Sequence, residues 1–327
     1  MPDILVTGGA GYIGSHVCKE LHRSGFTPIV VDNLSTGHSR NVKWGPLHKI
    51  DLRDKDRLLK EFANRNFYGV IHLAASAYVY ESMQNPIKYF ENNLVSTINL
   101  LTLMDELKVA KFVFSSSCAV YGAGYNLPIK ENFKKFPINN YGLSKLMCEE
   151  IISHTLQNTN VEYMILRYFN ACGANLDGEL YEYHEPETHV IPLLVKSAIL
   201  NSTFSIYGNE FETPDGYAIR DFVHVDDIAN AHVEAVKLKN WDQKRTEINL
   251  GSGKGTSIWE LIEFVQNMGF RFDVETRKRR LGDPSILMSD ITTAKDVLNW
   301  QPKFSNLETI FSTTMRGYNQ LLEDRVR

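Results

Sequence analysis

No apolar run approaches the roughly 20 residues that a helix needs to cross a bilayer, so the chain is not expected to span a membrane. Cysteine is scarce: Cys18, Cys118, Cys148 and Cys172 are the only four, far apart and with no Cys-x-x-Cys pair. That argues against a disulfide framework or a thiolate metal site and for reduced thiols. The 10 histidines show no His-x-x-x-His or comparable ligand spacing, and no metal is expected. An excess of basic charge is missing too: 35 Lys and Arg against 39 Asp and Glu give a net charge of -4, no reason to expect nucleic acid. Met1-Pro2-Asp3 lacks the basic and apolar regions of a secretion leader, so a cytoplasmic protein is expected. There is no repeat and no low-complexity segment. What is present, 327 residues at 43% hydrophobic, suffices for one large domain or two lobes sharing a cleft.

The richest signal is at the start. Ile4-Leu5-Val6-Thr7 runs into Gly8-Gly9-Ala10-Gly11-Tyr12-Ile13-Gly14, followed by a helical pattern through Val17 and Leu21. Both Gly9-x-Gly11-x-x-Gly14 and Gly8-x-x-Gly11-x-x-Gly14 are present. Glycines there let the backbone turn tightly and approach a pyrophosphate, whose charge is favoured at a helix N-terminus. Asp32 ends a second apolar run, Pro28-Ile29-Val30-Val31, about twenty residues on, where an acid accepts from the adenosine ribose hydroxyls. A carboxylate there repels the extra phosphate of NADP, so the expected cofactor is NAD.

Strands are expected at residues 3–7, 27–31, 46–50, 68–74, 110–115 and 161–167, with helices near 12–24, 53–65, 85–107 and 141–157 between them. This alternation predicts an α/β fold: a Rossmann-like, doubly wound parallel sheet that binds ligands beyond the carboxyl ends of its strands. After about Asn170 the rhythm changes. Residues 173–188 and 208–216 are polar and irregular, and shorter helices follow near 190–200, 226–237, 257–268, 291–298 and 306–321. The expected organisation is an NAD-binding domain over 1–170 and a smaller C-terminal α/β substrate lobe over 171–327. A segment near 208–237 is a candidate to return to the first domain.

Tyr141-Gly142-Leu143-Ser144-Lys145 carries the chemistry. On a helix, residues four apart share a face, so the tyrosine hydroxyl and lysine ammonium can meet one ligand. A tyrosine at its ordinary pKa of about 10 is a poor base at neutral pH; a nearby ammonium and a cationic nicotinamide both favour the phenolate. Phe112-Val113-Phe114 ends in Ser115-Ser116-Ser117 at a strand exit facing the ligand crevice, and Ser117 is placed to hydrogen-bond the reacting sugar oxygen. His72, before two alanines, reads as structural, and Arg277 and Lys278 read as solvated surface charge.

Together these residues resemble the extended short-chain dehydrogenase/reductase family and, within it, the UDP-glucose 4-epimerases. The resemblance runs almost end to end, through Thr7–Ser15, Asp32–Gly37, Asp51–Asp54, His72-Leu73-Ala74-Ala75, Glu81-Ser82, Ser115–Ser117, Val120-Tyr121-Gly122 and Tyr141–Lys145. It continues through Leu166–Asn170, Gly173-Ala174, Thr213–Gly216, Arg220–Val225, Asn249-Leu250-Gly251 and Arg279-Arg280-x-Gly282-Asp283-Pro284. The implied mechanism has Tyr141 remove the O4 proton of a UDP-sugar while the C4 hydride moves to NAD⁺. The 4-keto sugar turns over, and both return to the opposite face. The resemblance assigns Ser117, Tyr141 and Lys145 to catalysis. It puts Gly8, Gly11, Tyr12, Ile13, Gly14, Asp32, Asn33, Asp51, Leu52, Leu73, Ala74, Ala75, Asn92, Ser115 and Tyr168 with Tyr141 and Lys145 at the cofactor, where Lys145 would hold the nicotinamide ribose. It puts Asn170, His189, Val190, Arg220, Arg280 and Asp283 with Ser117 and Tyr141 at the substrate, the arginines on the diphosphate and Asp283 on the uridine ribose. It also implies a homodimer built from the apolar faces of helices 85–107 and 141–157.

The chain departs from the family pattern in places. Ser76-Ala77-Tyr78 stands where many relatives carry a lysine, Tyr80 replaces a glycine, His189 replaces an asparagine, and Leu287 falls where the family limits the C2 substituent. The sugar therefore stays open between UDP-galactose/UDP-glucose, a UDP-N-acetylhexosamine and a UDP-pentose. A nucleotide-sugar 4,6-dehydratase needs an added acid and base, and the chain has Cys118-Ala119 where relatives place an acidic pair. A non-catalytic NAD-binding regulator has no need for the serine, tyrosine and lysine together.

Overall fold

The computed structural model describes residues 1–124, 126–238, 245–280 and 282–326. In chain order the first elements are β1 (Asp3–Thr7), α1 (Tyr12–Arg23), β2 (Thr27–Asp32), β3 (Leu47–Lys49), α2 (Lys55–Phe62), β4 (Gly69–His72), α3 (Val79–Gln84) and α4 (Pro86–Phe90). Then come α5 (Ser96–Leu107), β5 (Lys111–Ser117), α6 (Asn140–Leu156), β6 (Glu162–Tyr168), β7 (Asn170–Cys172), α7 (Val190–Leu200), β8 (Phe204–Tyr207), β9 (Ile219–Arg220), β10 (Phe222–His224) and α8 (Val225–Lys237). The last are β11 (Arg245–Leu250), β12 (Thr256–Ser257), α9 (Ile258–Asn267), β13 (Val274–Arg277), β14 (Ile286–Leu287), α10 (Thr292–Leu298) and α11 (Leu307–Val326).

Seven strands form one sheet in the order β11-β6-β5-β4-β1-β2-β3, every neighbouring pair parallel. Alternation along each strand sends side chains to opposite faces, and both faces are apolar. Ile4, Val6, Val30, Val113, Met164 and Leu166 join one core, where Val17 and Leu21 of α1 meet Ile228, Ala231 and Val233 of α8. Leu5, Ile29, Val31, Phe112, Phe114 and Ile165 join the other, under Leu58 and Phe62 of α2, Leu100 and Leu103 of α5, and Ile152 of α6. This is the expected doubly wound α/β architecture. Strand order reverses at β1, which lies between β2 and β4, so a crevice opens beyond the carboxyl ends of β1 and β4.

Two elements differ from expectation. The single helix expected over 85–107 is three pieces: α4, a π-helical turn at Glu91–Val95, and α5. The widened turn is fixed from outside, because Asn93 Oδ1 accepts from Ser76 N at 2.8 Å while its Nδ2 donates to Ser76 O at 3.1 Å and Ser144 Oγ at 2.9 Å. β11, unforeseen, closes the sheet beside β6. Strands β7, β8, β10 and β13 and helices α7, α9 and α11 gather around a separate apolar core that includes Ile191, Leu194, Phe204, Ile262 and Phe311. No described helix is long and apolar enough to cross a membrane.

Candidate active site

A cavity of about 990 Å³ runs along the carboxyl ends of β1, β2 and β4 and under α7 and β8. At one end is the glycine turn. Gly8 sits at φ +73°, and a Cβ there would lie 2.7 Å from Ala74 N; a Cβ on Gly14 would lie 2.1 Å from Gly8 O. Only glycine fits either position. Gly11 caps α1 with no side-chain hydrogen bond, and the first turn holds no acid, so its N–H groups face the cavity without an internal anion. Tyr12 and Ile13 join this wall, the Tyr12 hydroxyl donating to Gly173 O at 2.6 Å.

Asp32 closes β2 on the same wall. Its Oδ2 accepts from Ala10 N at 3.1 Å and its Oδ1 from Leu34 N at 2.8 Å, so the carboxylate is held rigid with lone pairs to spare. Burial raises its pKa, against the lowering effect of those two hydrogen bonds. Asn33 donates to Asp51 Oδ2 at 3.1 Å, and Arg53 grips both Asp51 oxygens, which holds that carboxyl well below the usual range. Asn33, Asp51, Leu52, Leu73, Ala74, Ala75 and Asn92 all line the cavity. The uncapped helix start, the close-approach glycines and the oriented carboxylate fit a dinucleotide.

Ser117, Tyr141 and Tyr168 converge further along the wall. Burial pushes Tyr141 up to about 12; the neighbouring Ser117 hydroxyl pulls the other way, and Cys118 adds a smaller upward push. Ser117 Oγ also accepts from Ala119 N at 3.2 Å. Tyr168 is raised by burial and then by Tyr141. Lys145 and Ser115 are different: they lie behind the wall, not on it. Lys145 Nζ donates to Ser115 O at 2.7 Å and sits 4.9 Å from the centre of the Phe114 ring, and burial lowers it to about 8 against Cys148 and Glu149. Ser115 Oγ pairs with His232 Nε2 at 2.7 Å. His72 is wholly buried and bonds Thr7 Oγ1 and Thr97 Oγ1, a structural placement.

At the far end Asn170 lines the cavity, its Oδ1 buried with no hydrogen-bond partner. Arg220 and Asp283, assigned to different substrate groups by the resemblance, form an ion pair at 2.5 Å. Arg280 stacks on Tyr207, 3.7 Å from the ring centre. α7 begins at Val190 with His189 as its N-cap, no capping side chain and no acid in its first turn, and both residues line the cavity. Just ahead of this helix Glu187 Oε1 accepts from Thr188 N and His189 N, both at 2.7 Å, so the start of α7, unlike that of α1, already carries a carboxylate. Leu287 packs under this end against Val120, Tyr121 and Phe169.

Sequence reasoning missed Glu182 and His184, which also line the cavity. The reading that expected no metal ligands meets a cluster: Glu182, His184, Glu187 and His189 each offer a ligand atom, all within 4.8 Å of one another. The signal available was Glu182-x-His184-x-x-Glu187-x-His189, which helix-based spacings do not capture because the segment is a loop.

With this geometry in place, the comparisons with known proteins are direct. Residues 4–251 match the NAD dependent epimerase/dehydratase family. The UDP-glucose 4-epimerase of Rhizobium leguminosarum bv. trifolii is 41% identical over 313 residues, 94% of this chain and 95% of that protein. The crystal structure of the UDP-glucose 4-epimerase of Brucella ovis in complex with NAD is 42% identical, with a TM-score of 0.91 over 97% of this chain and 99% of that one. The UDP-glucose 4-epimerase structure from Stenotrophomonas maltophila, with bound NAD and formylated UDP-arabinopyranose, is 30% identical with a TM-score of 0.93, covering 99% and 100% of the two chains. This chain is a member of the NAD dependent epimerase/dehydratase family.

Proposed function

We propose that the protein is an NAD-dependent UDP-sugar 4-epimerase, interconverting UDP-galactose and UDP-glucose. The observation that carries this reading is the meeting of Tyr141 and Ser117 on the wall of one cavity, with the uncapped N-terminus of α1 opening onto the same space. That terminus suits the pyrophosphate of a dinucleotide.

When bound, NAD⁺ supplies a reversible acceptor for the C4 hydrogen, and its positive ring favours the phenolate of Tyr141. The turn at Gly8–Gly14 and the start of α1 would hold the pyrophosphate, and Asp32 would hold the adenosine ribose. Tyr141 takes the proton from O4 of the sugar and returns it after the ring has turned, with Ser117 orienting the hydroxyl it bonds. Lys145 supports the phenolate by its charge from behind the wall. Asn170 binds the sugar or diphosphate, and Arg280 neutralises the diphosphate. Arg220 contributes with its charge already shared with Asp283.

The exposed apolar residues Val95, Ile98, Leu143 and Met147 on and beside α5 and α6 support a homodimer through those helices. Four buried, unpaired cysteines support a cytoplasmic location. Incubating purified protein with UDP-galactose, without added cofactor, and resolving the products by chromatography tests the activity. UDP-glucose should appear, and the same balance should be reached from either side. Absence of conversion after NAD⁺ is supplied, followed by turnover of a UDP-N-acetylhexosamine or UDP-pentose, would move the assignment to that sugar.

A further inference from the structure

The loop between β7 and α7 folds four ligand-type side chains onto one point. Glu182 and Glu187 each face both His184 and His189. His184 Nδ1 lies 3.3 Å from Glu182 Oε1 and 3.4 Å from Glu187 Oε2; His189 Nδ1 lies 3.1 Å from Glu182 Oε1 and 2.8 Å from Glu187 Oε1. Four ligands at the 2.0–2.2 Å typical of zinc in tetrahedral array would stand about 3.3–3.6 Å apart, and one ligand atom from each of the four residues here lies within 4.8 Å of the others, so the loop would tighten to close on an ion.

A second observation is independent of that spacing. The Glu182 side chain is only 3% exposed, and while its Oε1 faces both imidazoles its Oε2 has no hydrogen-bond partner. A buried carboxylate oxygen without a donor is costly, and a cation removes that cost. The rings of Tyr12 and Tyr78 stand edge-on to His184, with centroids 6.3 and 5.7 Å away, and shield it from water.

We infer that Glu182, His184, Glu187 and His189 form a structural site for a divalent transition-metal ion, with Zn²⁺ as the best match. Mixed imidazole and carboxylate ligands suit zinc, whereas Mg²⁺ and Ca²⁺ prefer oxygen alone. Two carboxylates balance the charge of one dication. Four protein ligands leave no open position, which makes the site structural and not catalytic. Its position gives it a task. It would clasp the loop that leads into α7 against Tyr12 at the start of α1, and so pin the cover over the cavity that NAD is proposed to fill. The metal site itself does not depend on which sugar is turned over.

The test uses full-length protein stripped with a chelator and titrated with Co²⁺, whose tetrahedral complexes absorb visible light. One ion should bind per chain, with a tetrahedral spectrum that Zn²⁺ abolishes by displacement. His184→Ala and Glu187→Gln should each weaken binding more than the roughly 10–100-fold that loss of an outer partner costs. Tyr141→Phe should bind as the wild type does. Sub-stoichiometric Co²⁺ without a tetrahedral spectrum in the wild type, or Glu187→Gln and His184→Ala titrating like the wild type, would overturn the site. The wild-type titration and the milder Glu187→Gln decide the matter even if His184→Ala does not fold.

Discussion

Lys145 Nζ donates to the main-chain carbonyl of Ser115 at 2.7 Å, directing a hydrogen bond to the strand behind Tyr141. That bond ties α6 to β5, and in the proposed mechanism the ammonium acts on the cavity through its field. Burial lowers its pKa to about 8. A base lowered in this way is charged below that value and neutral above it. The limb of kcat/KM that depends on the ammonium should therefore fall as pH rises through about 8, and Lys145→Met should remove this limb and lower kcat more than it raises KM. A pH–rate profile of both proteins checks this; an unchanged alkaline limb in Lys145→Met would remove Lys145 from the account.

Tyr141→Phe keeps the ring and deletes the proton carrier. Turnover should drop by about 10²–10⁴, the usual worth of a positioned acid–base group, while NAD extracted from the protein stays at the wild-type ratio. Paired activity and cofactor-content measurements separate a chemical loss from a binding loss.

Below the site, Arg167 and Glu149 form a two-pronged pair at 2.9 and 2.7 Å, both fully buried, joining β6 to α6. Glu149→Ala strands the guanidinium in the core and should cost about 3–5 kcal/mol of stability. Urea unfolding measures the loss. Retention of wild-type stability would mean that Tyr121 and Glu247, which also approach Arg167, satisfy it alone.

His72 and His232 are buried and neutral, lowered to about 3 and about 4, His72 by burial and then Lys145, His232 by burial against a hydrogen bond to Ile228 O. An unfolded histidine takes up a proton near 6.5, so these groups favour unfolding as pH falls from there towards 4. At pH 4.5 each should cost on the order of 2 kcal/mol. Tm should fall over this range, and more gently in His232→Gln, which starts lower at neutral pH. Parallel slopes would contradict the assignment.

Legibility in the sequence followed locality. The apolar run Ile4–Val6 meeting glycines is a local code, and β1, the phosphate turn and α1 stand where it predicts. Asp32 was readable for the same reason. β11 was not, because Glu247 and Asn249 look unlike a sheet core until distant groups are seen: Asn249 accepts from the Tyr121 hydroxyl and donates to Ile129 O. The break at Glu91–Val95 likewise depends on Ser76 and Ser144. Spacing four apart put Tyr141 and Lys145 on one helix but could not say how deep each would sit. The His184 cluster was hidden because no periodic rule describes the loop from Gly173 to His189.

The most direct test of the central claim follows the hydrogen at C4. UDP-galactose carrying deuterium at C4 is incubated with the protein in ordinary water, and the UDP-glucose formed is examined by mass spectrometry and proton NMR. The account predicts that deuterium stays at C4, since that hydrogen leaves and returns without meeting solvent while only the O4 proton passes through Tyr141. Product with ordinary hydrogen at C4 would contradict it and point to inversion by proton abstraction from carbon.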